Sequence, residues 1–207
     1  MGKITADNIR QMKGREPIAA LTAYDYPMAK MLDGCGVPLL LVGDSLGMVV
    51  LGLPDTTGVT MDHMVHHTTA TARAEPRALL AADLPVGACR TMDEALANSR
   101  RLVEAGAEAV KAEGGLEICE CVRAIVDDGI PFLGHLGMLP QRVNEEGGYR
   151  IKGRRPDERT TLLEDAPALA DAGAFAIVLE LVEPAVAAEL TAALPVPTIG
   201  IGSGPDC

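Results

Sequence analysis

The chain predicts a parallel α/β fold of the (β/α)8 TIM-barrel class, and three observations carry that prediction. Apolar runs of strand length alternate with helical segments, and the β-α unit recurs about every thirty residues, as parallel βαβ architecture requires. The joints repeat as well. Asp33-Gly34-Cys35-Gly36-Val37, Glu104-Ala105-Gly106-Ala107, Asp127-Asp128-Gly129-Ile130 and Asp171-Ala172-Gly173-Ala174 each place glycine where a left-handed residue closes a helix before a strand. Finally, four apolar runs end in an acid: Leu39-Leu40-Leu41-Val42-Gly43-Asp44, Leu79-Leu80-Ala81-Ala82-Asp83, Ala109-Val110-Lys111-Ala112-Glu113 and Ala176-Ile177-Val178-Leu179-Glu180. Such runs read as strands buried on both faces, and a carboxylate where the strand emerges is poorly placed for packing and well placed for chemistry. An open doubly wound sheet also fits the alternation. It would separate the acid of the sixth strand from that of the second, whereas a barrel gathers every strand end around one mouth.

Taken in order, residues 5–13 read as a short helix capped by Thr5, and 17–23 as the first strand. A helix over 26–32 is ended by Gly34 and Gly36, and the second strand covers 38–44. A loop with Gly47, Gly52, Pro54 and Gly58 leads to a helix over 61–74 and the third strand over 78–85. Thr91 caps a helix over 92–105 with Glu94 at its third position; the fourth strand covers 108–113, a helix 117–127 and the fifth strand 131–136. The connection over 137–159 is long for an unstructured joint and reads as a lid or binding loop. It carries Gly147-Gly148-Tyr149 and the basic residues Arg150, Lys152, Arg154 and Arg155, read as a solvated run or as a partner for an anionic ligand tail. A helix over 161–171, the sixth strand over 175–182, a helix over 184–194 and the seventh strand over 197–202 follow. The expectation is one barrel domain over residues 1–207, truncated after strand seven, so that the first and seventh strands keep open edges.

Composition narrows the function classes. The chain has 207 residues, is 48% hydrophobic and only 2% aromatic, so Ala, Val, Leu and Ile must pack the core. A net charge of -11 leaves no basic stripe for phosphates and argues against nucleic acid. No apolar run approaches the roughly 18–20 residues of a membrane span, and the first residues lack the apolar stretch of a secretion signal. Five scattered cysteines read as reduced thiols, which makes the expected compartment cytoplasmic.

The chemistry centres on the strand-end acids. Asp44, Asp83 and Glu113 form an all-oxygen set from adjacent strands, and carboxylates crowded together raise one another's pKa unless a cation sits between them. Hard oxygen ligands favour Mg²⁺. The plainer alternative is that each acid caps a helix in its βα loop. Glu180 lies between apolar neighbours that raise a carboxyl pKa and suit a general base; a buried ion pair is the alternative. Lys111 alternates with Glu113 on one strand and points to the same side. It reads as a binder of a substrate carboxylate, a Schiff-base former or a salt-bridge partner. His135, at the end of the fifth strand, is placed either to position substrate or to fill a structural role. His63, His66 and His67 read as surface or interface, and Cys119 and Cys121, facing different ways on one helix, as no metal site.

A longer set of motifs runs through the chain in order: Thr22-Ala23-Tyr24-Asp25-Tyr26, Leu41-Val42-Gly43-Asp44-Ser45-Leu46-Gly47-Met48, Ala82-Asp83-Leu84-Pro85, Val110-Lys111-Ala112-Glu113-Gly114-Gly115, Gly134-His135-Leu136-Gly137, Pro140-Gln141, Gly147-Gly148-Tyr149 and Gly200-Ile201-Gly202. With these the whole chain resembles the ketopantoate hydroxymethyltransferase family of pantothenate biosynthesis. The resemblance implies a (β/α)8 barrel and a homo-oligomer, typically a decamer. It implies Mg²⁺ held by Asp44, Asp83 and Glu113, a 2-oxo acid contacted by Asp44, Ser45, Asp83 and Lys111, and Glu180 as proton acceptor. The implied reaction joins a one-carbon unit from 5,10-methylenetetrahydrofolate to 3-methyl-2-oxobutanoate through a Mg-stabilised enolate, giving 2-dehydropantoate. A related lyase acting on another 2-oxo acid, or an inactive incomplete chain, are the alternatives.

Overall fold

The computed structural model describes residues 2–207. In chain order the elements are α1 (Ala6–Gln11), β1 (Ala20–Thr22), α2 (Tyr26–Gly34), β2 (Leu39–Val42), α3 (Leu46–Val49), α4 (Met61–Ala72), β3 (Leu79–Asp83), α5 (Met92–Glu104), β4 (Ala109–Glu113), α6 (Cys119–Asp127), β5 (Phe132–Gly137), α7 (Val143–Glu146), α8 (Pro156–Asp171), β6 (Ala176–Glu180), α9 (Pro184–Ala193) and β7 (Thr198–Ile201). Seven parallel strands pair in sequence order, and the curved sheet forms a nearly closed barrel. Between its free edges, β1 and β7, lies a groove of about 840 Å³ lined by Ile18, Ala20, Leu21, Thr198, Gly200 and Cys207. Among the described residues no helix is long and apolar enough to cross a membrane.

Strand parity divides the core into two layers. Leu39, Leu79, Ala81, Ala109, Leu133, Ala176, Val178 and Ile199 pack together inside the barrel. Their alternating neighbours Leu40, Val42, Leu80, Ala82, Val110, Phe132, Ile177 and Leu179 pack outward against the helices. The same parity carries Asp83, Lys111, Glu113, His135 and Glu180 inward as each strand reaches its carboxyl end. At the opposite end α1 plugs the floor. Thr5 caps it through a reciprocal pair with Asn8, Ala6 and Ile9 join the interior cluster, and the Ile4 amide donates to the Arg77 carbonyl at 2.7 Å.

The expected helix caps at Thr5 and Thr91 are present, and Asp25 and Thr60 cap α2 and α4 in the same way. Most strands are shorter than the apolar runs suggest, because residues flanking each run leave the ladder before their hydropathy changes. The long connection differs more. It is folded, with a 3-10 turn at Pro140–Arg142 followed by α7, and α8 starts at Pro156 rather than near 161. Proline at the first position of a helix loses no hydrogen bond there, so it opens α8 instead of ending a loop. Arg150, Arg154 and Arg155 are exposed, as a solvated run should be, and each of the four basic side chains holds a nearby acid instead of standing free for an anionic tail. Arg150 pairs with Glu146 and Glu158, Lys152 with Glu146 at 2.7 Å, Arg154 with Glu183 at 2.9 Å and Arg155 with Asp157 at 2.9 Å.

The floor plug yields a stability test. Ile9 is fully buried and Gln11 is exposed on the same short helix. Ile9→Ala is expected to cost about 2–4 kcal/mol in urea unfolding, and Gln11→Ala to change stability by no more than about 0.5 kcal/mol. Equal effects would mean that α1 is not part of the core.

Candidate active site

The carboxyl ends of β2 to β6 bring every acid of the sequence pattern to one rim. Asp83, Lys111 and His135 arrive by strand parity and are buried. Asp44 arrives differently. Gly43 follows the last residue of β2 at the next inward position without a side chain, and an added Cβ there would lie 2.8 Å from the Ser45 hydroxyl and 3.6 Å from the Asp83 carboxylate. The missing side chain lets the next residue turn in, so the Asp44 amide donates to Asp83 Oδ2 at 3.0 Å. Lys111 Nζ donates to Asp83 Oδ1 at 2.7 Å, so both Asp83 oxygens are engaged.

The loop after β5 organises the rest. Gly137, at φ +98°, has no room for a side chain, since a Cβ would sit 2.2 Å from the Glu180 carbonyl oxygen. The chain turns there, and the Met138 amide donates to that same carbonyl at 2.8 Å. The Met138 carbonyl lies 3.0 Å from His135 Nε2, and Glu180 Oε2 lies 3.5 Å from the same nitrogen. A carbonyl only accepts, so the proton sits on Nε2 and the buried Nδ1 lone pair has no partner. Beyond the turn, Gln141 Nε2 donates to Asp44 Oδ2 at 2.7 Å and to the Leu84 carbonyl at 3.0 Å. Its backbone amide donates to Glu113 Oε2 at 3.0 Å. On the other side Tyr24 Oη lies 2.8 Å from Ser45 Oγ, and His67 Nδ1 lies 2.7 Å from the Tyr24 carbonyl oxygen.

Charge at the rim is unbalanced. Burial, then the neighbouring Asp83, push Asp44 from 3.8 up to about 7 against the pull of Lys111. Burial is also the main cause that raises Glu113 from 4.5 to about 8, again against Lys111. Glu180 is raised by burial, with Lys111 opposing and Asp83 adding to the shift. Burial pulls Lys111 down, but Asp83, Asp44 and Glu113 together outweigh it and hold the ammonium above its ordinary range. His135 is held well below its ordinary value by burial and by Lys111, so it is neutral.

All seven residues singled out in the sequence, Asp44, Ser45, Asp83, Lys111, Glu113, His135 and Glu180, therefore lie at this rim. The acids do not form a ready cage: among the described residues no three His, Cys, Asp or Glu side chains converge in metal-binding geometry. Gln141 and Tyr24 belong to the site without having been given a role from the sequence. Both stand in the ordered motifs, but Gln141 reaches Asp44 across 97 residues, and no local spacing signals such a contact.

Comparison with known proteins decides the family. The description "Ketopantoate hydroxymethyltransferase" matches residues 3–207. The chain belongs to the ketopantoate hydroxymethyltransferase family. It is 56% identical over 196 residues to the 3-methyl-2-oxobutanoate hydroxymethyltransferase of Pyrobaculum islandicum, covering 94% of this chain and 75% of that protein. It is 52% identical to the enzyme of the same name from Ignicoccus hospitalis, covering 100% of this chain and 80% of the relative. Among solved structures, a putative phosphonomutase from Burkholderia cenocepacia superposes with a TM-score of 0.74 at 18% identity, covering 95% of this chain and 83% of that one. A phosphonopyruvate hydrolase gives 0.71 at 16% identity, covering 95% and 71%. Both show the shared barrel fold.

The raised carboxyls of this family member set a pH dependence. A folded-state pKa above the unfolded one means that the native state holds more protons, so the associated stability is full below the unfolded value and is lost as pH rises through the folded value. For Asp44 that window runs from 3.8 to about 7. In chelator-treated protein, Asp44→Asn should therefore lose less Tm than the parent between about pH 5 and pH 8. Parallel Tm profiles for the two proteins would contradict the buried, raised carboxyl.

Proposed function

We propose that this chain transfers a hydroxymethyl group from 5,10-methylenetetrahydrofolate to 3-methyl-2-oxobutanoate, giving 2-dehydropantoate, with Mg²⁺ as its metal. The observation that carries the reading is the electrostatic composition of the rim: four carboxylates, Asp44, Asp83, Glu113 and Glu180, face one ammonium, Lys111. The donor set fits a hard divalent cation, because its donors are all oxygens and its uncompensated charge is negative. Asp44, Asp83 and Glu113 are the residues that would hold the ion. Bound there, Mg²⁺ supplies Lewis-acid polarisation of the substrate's keto oxygen.

The remaining steps belong to the protein's own groups. Lys111 offers two further N–H donors beyond the one given to Asp83, and Ser45 offers a hydroxyl; both suit the carboxylate of a 2-oxo acid. Tyr24 and Ser45 share a hydrogen, so a Ser45 hydroxyl that donates to substrate accepts from Tyr24. Glu180 is half-enclosed and raised by burial, which suits a base that takes the proton from C3, the carbon next to the keto group. Neutral His135 lies beside the Glu180 carboxylate and adds no charge that would weaken it as a base. The electron pair left at C3 forms the new bond to the methylene carbon of the folate, whose bond to one folate nitrogen breaks. Water then forms the C–O bond of the product's hydroxymethyl group as the carbon's second bond to a folate nitrogen breaks; the two freed nitrogens take up the proton that Glu180 removed and one proton of the water, and tetrahydrofolate leaves.

Hydrogen exchange tests the proton step without folate. With Mg²⁺ present, the parent should exchange the C3 hydrogen of 3-methyl-2-oxobutanoate for deuterium, followed by proton NMR. Glu180→Gln should slow that exchange by about 10²–10⁴-fold. Exchange by the variant at the parental rate would remove Glu180 as the base, and a parent that exchanges other 2-oxo acids but not this one would overturn the substrate.

A further inference from the structure

Three acceptors from three different segments converge on Gln141. Its side-chain amide gives both hydrogens away, one to Asp44 Oδ2 at 2.7 Å and one to the Leu84 carbonyl at 3.0 Å. Its backbone amide gives a third to Glu113 Oε2 at 3.0 Å. With two acceptors around Nε2, the amide has one allowed orientation, because a flip would set Oε1 against two oxygens. The residue is held there by its own backbone: Gly137 turns the chain back over the rim, and Pro140 starts the 3-10 turn that presents the Gln141 amide.

We propose that Gln141 is a positioning residue for a divalent cation: it binds one oxygen each of Asp44 and Glu113 and so turns their other oxygens toward the ion. The inference rests on the functional reading above, in which those two acids hold the metal. The chemistry of the side chain supports the role. A carboxylate in so crowded a site needs donors to stay ordered, and lysine or arginine would supply them together with positive charge. Lys111 already supplies one such charge on Asp83. A second would offset the negative charge that attracts a cation, whereas a neutral side-chain amide orients Asp44, the backbone N–H of the same residue orients Glu113, and the charge is left intact. Partners of this kind fix ligand direction without touching the ion, and losing one typically costs about 10- to 100-fold in metal affinity.

Mn²⁺ titration followed by the electron paramagnetic resonance of the free ion tests the inference on the full chain, with Tm recorded for each protein. Gln141→Met keeps the length of the side chain and removes its donor; Gln141→Asn keeps the amide on a stem too short to span both acceptors. Both variants should bind Mn²⁺ about 10- to 100-fold more weakly than the parent, with Tm within a few degrees of it. At saturating Mg²⁺ their turnover should recover while the KM for the 2-oxo acid stays at the parental value. Asp44→Asn, which removes a ligand, should abolish the site. The inference fails if both Gln141 variants bind Mn²⁺ as tightly as the parent. It fails equally if affinity falls only in step with Tm, since that is the mark of a merely structural residue. A parent that binds no Mn²⁺ overturns the functional reading, and the role of Gln141 falls with it.

Discussion

The Lys111–Asp83 pair at 2.7 Å is the interaction on which the rim depends. Both groups are buried, and neither would be tolerated as an isolated charge. Asp83 is also the acceptor that draws in the Asp44 amide, so one carboxylate joins the ends of β2, β3 and β4. The pair neutralises itself and leaves Asp44, Glu113 and Glu180 without a countercharge of their own. Burial is the main cause that raises all three carboxyls, and Lys111, already paired to Asp83, offsets it only in part.

The barrel makes this arrangement affordable in packing terms by keeping polar groups to one end. Along β3, Leu79 and Ala81 fill the interior before Asp83 appears; along β6, Ala176 and Val178 do so before Glu180. The apolar floor, sealed by α1, and the charged rim are thus successive layers of the same inward-facing rows. Glycines set the exceptions. Gly43 leaves space for a neighbouring carboxylate, and Gly137, left-handed and pressed against the Glu180 carbonyl, redirects the chain so that Gln141 returns to the rim.

Much of this was legible in the amino-acid sequence, for identifiable reasons. Strands that are buried on both faces are nearly pure apolar runs, so the acids ending them at 44, 83, 113 and 180 stand out, and the glycine joints mark the repeat. What escaped depends on contacts distant along the chain. The basic residues between Arg150 and Arg155 look free in sequence, yet meet Glu146, Glu158, Glu183 and Asp157 once the connection folds. Pro156 resembles loop punctuation and in fact opens α8. Gln141 carries no charge and no recognisable spacing; only the turn after β5 shows what it reaches.

The central claim is that the negative rim is a cation site built by Asp44, Asp83 and Glu113 around the Lys111–Asp83 pair. The most direct measurement is anomalous diffraction from crystals of this chain grown with Mn²⁺. The account predicts one strong peak at the carboxyl ends of β2, β3 and β4, within coordination distance of carboxylate oxygens from those three residues, with Lys111 still paired to Asp83. A peak elsewhere on the barrel, or an empty rim at saturating Mn²⁺, would contradict it.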